Sequence, residues 1–442
     1  MAENEASLPE NWWESYIDYA AISNLGMQRT NNQDSHIEIP AAGSRIWSDR
    51  GHFFMVADGM GAHAAGEKAS ELAVTVTSQS YIKRTKSSPA DAVKDAIQEA
   101  HLQIRKQGEE EPSFHSMGTT ADVLLLLPEG ALNAHVGDSR TYRFRDGIYE
   151  QLTFDHSLLW ELTRAGKLNT KEIPASIPKN IITRSLGPGS NPKVDLEGPF
   201  PLKKGDVFLL CSDGLSGQVS DSEAAQILSL YPPKQAARTL VNLTNLSGGP
   251  DNVTLIIVKI LDIPDPEKTA VPDPVKKRTP IPPAAWGTLA GAIGFLLAFF
   301  LFLPVAKTGW LFLLPVAALC IFAVFLSLAR NTFFPPKPVR GFDKPFGKGP
   351  YTKTASAYTP DFAEKLLGYC RKLDAALRER APGVDRSKNN ALFQRADAAC
   401  KQKNYKESIL CSIDNINEGF EELMGNQIAQ MDPQKNEKGT ER

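Results

Sequence analysis

The sequence predicts an α+β chain: a mixed domain of about 240 residues with antiparallel strand pairing, then two membrane-crossing helices, then a small helical C-terminal region. Three observations carry this. From Tyr19 to about Ile260, apolar runs of strand length alternate with helical stretches, and turn residues mark each change. Arg145-Asp146-Gly147, between Tyr142-Arg143-Phe144 and Ile148-Tyr149, is a hairpin signal, because Asp-Gly takes the positive φ angles that tight hairpin turns need. Between Trp286 and Ala329 the only charged side chain is Lys307, a density that a water-exposed domain rarely sustains.

In the first domain the expected strands are Phe53 to Ala57, Ala121 to Leu127, Leu132 to Val136, Val207 to Cys211 and Val253 to Ile260. All are short and rich in Val, Leu, Ile or Phe. Ala64 to Tyr81 and Ala90 to Gln107 carry Ala, Glu, Gln and Lys at helical spacing, and Ser88-Pro89 supplies a start for the second. Lys plus Arg number 49 and Asp plus Glu 51, so no basic excess points to nucleic acid. Five cysteines, an odd set without a close Cys-x-x-Cys pair, indicate neither a disulfide framework nor a zinc knuckle and point to a reducing compartment. The opening residues hold acids and no basic, apolar leader pattern, so a cleaved secretory signal is not expected.

Residues 263–285 contain seven prolines in a polar setting and read as an extended linker. Trp286 to Leu303 and Trp310 to Ala329 each approach the roughly 20 residues that cross a bilayer, so residues 286–330 read as a two-span hairpin. Lys276, Lys277 and Arg278 precede it and Arg330, Lys337, Arg340 and Lys344 follow, which places both flanks in the cytoplasm. The expected location is therefore the inner, cytoplasmic membrane, with catalytic domain and C-terminus on the cytoplasmic side. Residues 331–357 form a second Pro/Gly-rich linker, 358–430 a helical cytoplasmic region and 431–442 a disordered tail. Within the helical region, Ala391 to Phe420 has the spacing of a single tetratricopeptide-like hairpin or of a small helical bundle. The linkers are expected to separate it from the chemistry, leaving it to bind a protein partner or set location.

The chemistry lies in the first domain. His-Glu-x-x-His, Gly-x-Ser-x-Gly and Walker A patterns are missing, which disfavours zinc peptidases, serine hydrolases and P-loop enzymes. What recurs is an aspartate at the end of an apolar strand beside glycine: Asp58-Gly59, Gly137-Asp138 and Asp213-Gly214. Asp251 lies just before the strand Val253 to Ile260. One Asp-Gly pair is usually only a turn. Four such carboxylates converging would repel one another without a counter-charge, so convergence implies a metal, and all-oxygen ligation suits Mg²⁺ or Mn²⁺.

The order of motifs resembles the PP2C (PPM) family of metal-dependent Ser/Thr protein phosphatases. The matching pieces are Arg29-Thr30-Asn31-Asn32-Gln33-Asp34, Val56-Ala57-Asp58-Gly59-Met60-Gly61, Ser116-Met117-Gly118-Thr119-Thr120, Gly137-Asp138-Ser139-Arg140, Ser212-Asp213-Gly214-Leu215 and Gly249-Pro250-Asp251-Asn252-Val253-Thr254. Their Gly-Met-Gly form is similar to bacterial members. The resemblance implies that residues 1–262 form a β-sandwich of two antiparallel sheets flanked by helices, with metals at one end between the sheets. It implies that Asp58 bridges two ions, that Gly59 offers its carbonyl to one, that Asp213 and Asp251 ligate the first, and that Asp34 lies in the metal shell. Asp138, with Asp213, matches the pair that holds a third, weaker ion. Arg29 matches the arginine that binds phosphate, a role its forked guanidinium suits.

The expected catalytic residues are thus Arg29, Asp58, Asp213 and Asp251, and the expected metal set is Asp34, Asp58, Gly59, Asp138, Asp213 and Asp251. Two ions about 4 Å apart deprotonate a bridging water and aim it at phosphorus, so no covalent phosphoenzyme is required. Cys211 is then core filler. His63 follows Asp-Gly by too many residues to inherit a general-acid role by position. Asp155-His156-Ser157 and Thr183-Arg184-Ser185-Leu186-Gly187 fall where the family varies and shapes substrate access. The expected function is dephosphorylation of Ser/Thr-phosphorylated proteins, kinases or kinase substrates, by a membrane-tethered enzyme. The alternatives are a catalytically weak phosphopeptide-binding membrane scaffold and a phosphatase acting on an anti-sigma antagonist.

Overall fold

The computed structural model describes residues 12–61, 65–164, 181–264, 345–347, 349 and 351–431. The strands are β1 (Ile17–Asn24), β2 (Asp34–Ile39), β3 (His52–Met60), β4 (Gly118–Thr119), β5 (Ala121–Leu127), β6 (Gly130–Val136), β7 (Arg140–Arg145), β8 (Ile148–Gln151), β9 (Asp195–Phe200), β10 (Val207–Cys211), β11 (Val253–Ile260) and β12 (Lys353–Ala355). The helices are α1 (Ser44–Arg50), α2 (Ala65–Lys83), α3 (Pro89–Glu110), α4 (Leu158–Arg164), α5 (Asp213–Ser216), α6 (Asp221–Leu230), α7 (Pro233–Leu246), α8 (Pro360–Arg380), α9 (Ser387–Lys401) and α10 (Tyr405–Met431). One sheet runs β1-β11-β10-β7-β8-β12 and the other β2-β3-β5-β6-β9, with β4 paired to β3. Every pairing is antiparallel.

Strand alternation builds the layers. In β3, Phe53, Met55 and Ala57 pack beneath α2 and α3 with Ala69, Ala96 and Ile97. Phe54 and Val56, one step out of phase, enter the layer between the sheets, where they join Leu124, Phe208, Leu210, Ile256 and Val258. The outer face of the first sheet carries Leu209, Leu255 and Ile257 against Leu240 of α7. The result is helices, sheet, sheet, helices. The Arg145-Asp146-Gly147 hairpin forms as the sequence predicts, with φ of 52° at Asp146 and 78° at Gly147. Ser88 caps α3 by accepting from the Asp91 amide at 3.1 Å, with Pro89 at the first helical turn.

The C-terminal helices join this fold. Phe362, Leu366 and Tyr369 of α8 and Ile409, Ile413 and Ile416 of α10 are buried in the core that holds Leu240 and Val241 of α7. Burying a large apolar side chain contributes about 1.5–3 kcal/mol, so these six supply on the order of 10 kcal/mol before the cost of ordering. Polar contacts fix the register, among them Lys365 Nζ to Glu223 Oε1 at 2.7 Å and Asn417 Nδ2 to Thr239 Oγ1 at 2.9 Å. β12 extends the first sheet by pairing with β8.

The expected fold class is corrected in one part. Among the described residues no helix is long and apolar enough to cross a membrane, and the two transmembrane helices are withdrawn. The long described helices are amphipathic: α8, for example, buries Phe362, Leu366 and Leu373 while carrying Asp361, Arg371, Asp374 and Arg378. The segments 286–303 and 310–329, on which the spans were expected, lie outside the described residues, as do residues 265–285, most of 331–350, His63 and the tail from 432.

Candidate metal centre

The predicted aspartates meet at one end of the sandwich because strand parity sends them there. Asp58 follows Phe54 and Val56 on the inward phase of β3 and stands directly opposite Asp34, the first residue of β2. Ser212, which follows β10 in the other sheet, donates its hydroxyl to Asp34 Oδ2 at 2.7 Å and so ties the two sheets at the site. Asp213 begins α5 immediately after, and its carboxyl group lies within hydrogen-bonding reach of Asp58. Asp251 enters just before β11. Asp138 sits in the turn between β6 and β7, after Gly137 at φ 117°.

Their electrostatics are those of crowded anions. Burial, reinforced by Asp34, Asp213, Asp138 and Asp251, pushes the Asp58 carboxyl well above the usual carboxylate range. Burial and then the Asp213 and Asp155 charges raise Asp138 to about 7. Asp34 rises to about 6, mainly from burial, although hydrogen bonds from Ser212 and Thr254 oppose the shift. Asp213 is raised by burial and by Asp251. Asp138 Oδ1 is buried and accepts no hydrogen bond. An all-oxygen set with an orphaned carboxylate oxygen fits hard divalent ions.

Among the described residues no three His, Cys, Asp or Glu side chains are gathered into a ready-made metal cage. Two of the five are engaged elsewhere: Asp34 accepts from Ser212, and Asp251 Oδ2 accepts from Arg29 Nη2 at 2.8 Å. The donor chemistry therefore fits, with carboxylates in one electrostatic neighbourhood rather than in a closed shell. Arg29 stands beside Asp251 and also donates from Nε to Pro250 O at 3.3 Å, which puts a half-exposed guanidinium at the mouth of the cluster.

Residues in the same motifs, to which the sequence assigned no role, hold this arrangement. Thr120 Oγ1 accepts from the Asp58 amide at 2.8 Å, and Thr119 Oγ1 donates to the Asp58 carbonyl at 2.9 Å. Asn252 accepts from the Gln33 amide at 2.9 Å and donates to Leu25 O and Asn31 O, stitching the Arg29 loop to the residue beside Asp251. Gly59 has no room for a side chain: a Cβ there would lie 2.0 Å from Gly66 O at the start of α2. Between the sheets Asn133 bonds Asp122 and Thr141, a buried polar link that strand patterning alone conceals. Arg140 grips Asp155 through Nε and Nη2, at 2.9 and 2.7 Å, and so anchors the turn of Asp138. Cys211 packs in the core on the α7 side, and burial pushes its thiol up, so it is no nucleophile.

Comparisons with known proteins agree with this geometry. The protein phosphatase 2C family matches residues 27–243. "Protein phosphatase PhpP" of Streptococcus pneumoniae is 37% identical over 251 residues, covering 55% of this chain and 98% of that protein. "Serine/threonine phosphatase stp" of Listeria monocytogenes is 36% identical over 210 residues, 46% of this chain and 83% of that protein. The solved serine/threonine phosphatase of S. agalactiae superimposes with a TM-score of 0.51 at 33% identity, covering 55% of this chain and all of that one. With motifs, sandwich and relatives in accord, the chain belongs to the protein phosphatase 2C family and is a Ser/Thr phosphoprotein phosphatase.

Proposed function

We propose that the chain removes phosphate from phosphoserine and phosphothreonine in one step, by attack of a water activated between divalent ions. The observation that carries this reading is the cluster of buried and partly buried carboxylates around Asp58, where burial first and the neighbouring carboxylates second raise the pKa of Asp34, Asp58, Asp138 and Asp213. Mn²⁺ or Mg²⁺, when bound, supplies charge neutralisation and the activated water; metal dependence is a property of the family. Asp58, Asp213, Asp251 and the Gly59 carbonyl would hold two principal ions, with Asp34 in their shell and Asp138 with Asp213 at a third, weaker site.

The chain's own residues do the rest. Arg29 orients the phosphoryl group by charge-assisted bonds and stabilises the charge that grows on its oxygens. Thr119 and Thr120 hold the backbone of Asp58, which fixes the strand end that presents its carboxylate to the ions. The Ser212 hydroxyl aims Asp34 and opposes the rise that burial imposes on its pKa. Substrates would be phosphorylated proteins, including products of a Ser/Thr kinase, and the work would take place in the cytoplasm. The four described cysteines, all unpaired, support that compartment.

Phosphate release from a phosphothreonine peptide by the full chain tests the reading. It predicts turnover that requires Mn²⁺ or Mg²⁺ and disappears with EDTA. Turnover that persists unchanged in EDTA would contradict it.

A further inference from the structure

The helices α8 to α10 lie beyond the residues matched by the family, yet one of their contacts reaches the site. Helix α7 ends at Leu246, and the next five residues, Ser247-Gly248-Gly249-Pro250-Asp251, lead straight into a candidate ligand. Gly248 at φ 113° and Gly249 at φ 44° make this turn in backbone conformations that a side chain would strain. At its first residue, Ser247 Oγ donates to Leu243 O at 2.9 Å and lies 2.8 Å from Tyr369 Oη of α8. A serine hydroxyl has one proton, so Tyr369 donates to Ser247.

Tyr369 is itself firmly held. It is buried in the α7 core, and Lys365 and Lys372 lie over its ring at 5.8 and 5.6 Å. The loop that it touches grips the loop of Arg29: the Met27 amide donates to Gly249 O at 2.8 Å, Gln28 Nε2 to Gly248 O at 3.1 Å, and Arg29 Nη2 to Asp251 Oδ2. One hydrogen bond from the C-terminal helices therefore bears on the segment that places both Asp251 and Arg29.

We propose that the C-terminal helices are a positioning module of the phosphatase, and that Tyr369, through Ser247, is a positioning residue for the loop that carries Asp251. The inference rests on the reading of Asp251 as a metal ligand. A partner that pulled α8 away from α7 would release the same loop and lower activity without touching the carboxylates.

The test uses the full chain with Tyr369→Phe, which keeps the packed ring and removes only the hydroxyl, and Ser247→Ala, which removes the acceptor. In metal-free protein, hydrogen exchange at the Gly248 and Gly249 amides should quicken about fivefold in either variant, as expected for one lost hydrogen bond. Exchange in β5 and α3 should stay as in wild type, which excludes a general loss of fold. Calorimetric Mn²⁺ titration should show about threefold to tenfold weaker binding, with kcat at saturating Mn²⁺ close to wild type. The double variant should be no worse than Ser247→Ala alone, because that change already removes the Tyr369 bond along with the Ser247 bond to Leu243 O. Unchanged loop exchange in Tyr369→Phe, additive effects, or faster exchange with unaltered Mn²⁺ affinity would each overturn the proposal. If wild type itself bound no Mn²⁺, the failure would lie with the metal reading of Asp251.

Discussion

Gly214→Ala should separate two candidate ligands by steric force alone. A Cβ on Gly214 would lie 1.9 Å from the backbone oxygen of Asn252, whereas ordinary contact begins at 3.4 Å, so one segment must retreat by about 1.5 Å. Neither can do so freely. Gly214 follows Asp213 at the start of α5, and Asn252 follows Asp251 while bonding Leu25, Asn31 and Gln33. Overpacking of this kind costs about 1–3 kcal/mol of stability. Metal–oxygen distances tolerate only about 0.2 Å, so the shift should weaken Mn²⁺ binding by roughly ten- to a hundredfold. Calorimetric titration beside a thermal unfolding scan would read both effects. Gly368→Ala is the control, since nothing lies within 4 Å of its Cβ position, and it should leave Mn²⁺ affinity unchanged. A folded Gly214→Ala protein with wild-type Mn²⁺ affinity would refute the convergence of Asp213 and Asp251 on one ion.

Other perturbations separate the parts of the account. Arg29→Ala should lower kcat/KM for a phosphopeptide about a hundredfold while leaving Mn²⁺ stoichiometry intact, because the guanidinium faces substrate and its exposed ion pair with Asp251 is worth little to stability. Equal loss of Mn²⁺ binding would show that it serves the metal instead. Burial holds His52 at about 3, below its ordinary value near 6.5, so its contribution to stability is complete above pH 6.5 and is lost as pH falls toward 3. The stability advantage of wild type over His52→Asn, measured by denaturant unfolding, should therefore shrink by on the order of 3 kcal/mol between pH 7 and pH 4; a constant difference would contradict the buried neutral imidazole. A fragment of residues 1–262 should unfold at least several degrees below the full chain, since it exposes the face of α7 that α8 and α10 cover. Identical melting curves would show that the C-terminal helices add no stability.

Much of the sandwich was legible because its central strands are simple apolar runs: Ala121 to Leu127, Val207 to Cys211 and Val253 to Ile260 are found with the predicted bounds. The aspartates were legible as strand-end pairs with glycine, and parity along β3 explains why Asp58 points inward. The hydrogen bonds that hold them were not. Ser212 meets Asp34 across 178 positions and Asn252 meets Asn31 across 221, separations that no local pattern encodes. The docking of α8 and α10 escaped for a similar reason, since proline-rich composition marks a linker but not the place to which the chain returns. Low charge between Trp286 and Ala329 suggested membrane spans by hydropathy alone, and no described helix is long and apolar enough to supply one.

Asp58 is proposed to organise divalent ions among the carboxylates that surround it. Calorimetric titration of the metal-free full chain with Mn²⁺, compared between wild type and Asp58→Asn, addresses this role most directly. The substitution removes a negative ligand while nearly preserving shape. The account predicts two principal sites in wild type and their loss or severe weakening in the variant, with phosphopeptide turnover falling in parallel. A folded Asp58→Asn protein with unchanged Mn²⁺ stoichiometry and near-normal turnover would contradict it.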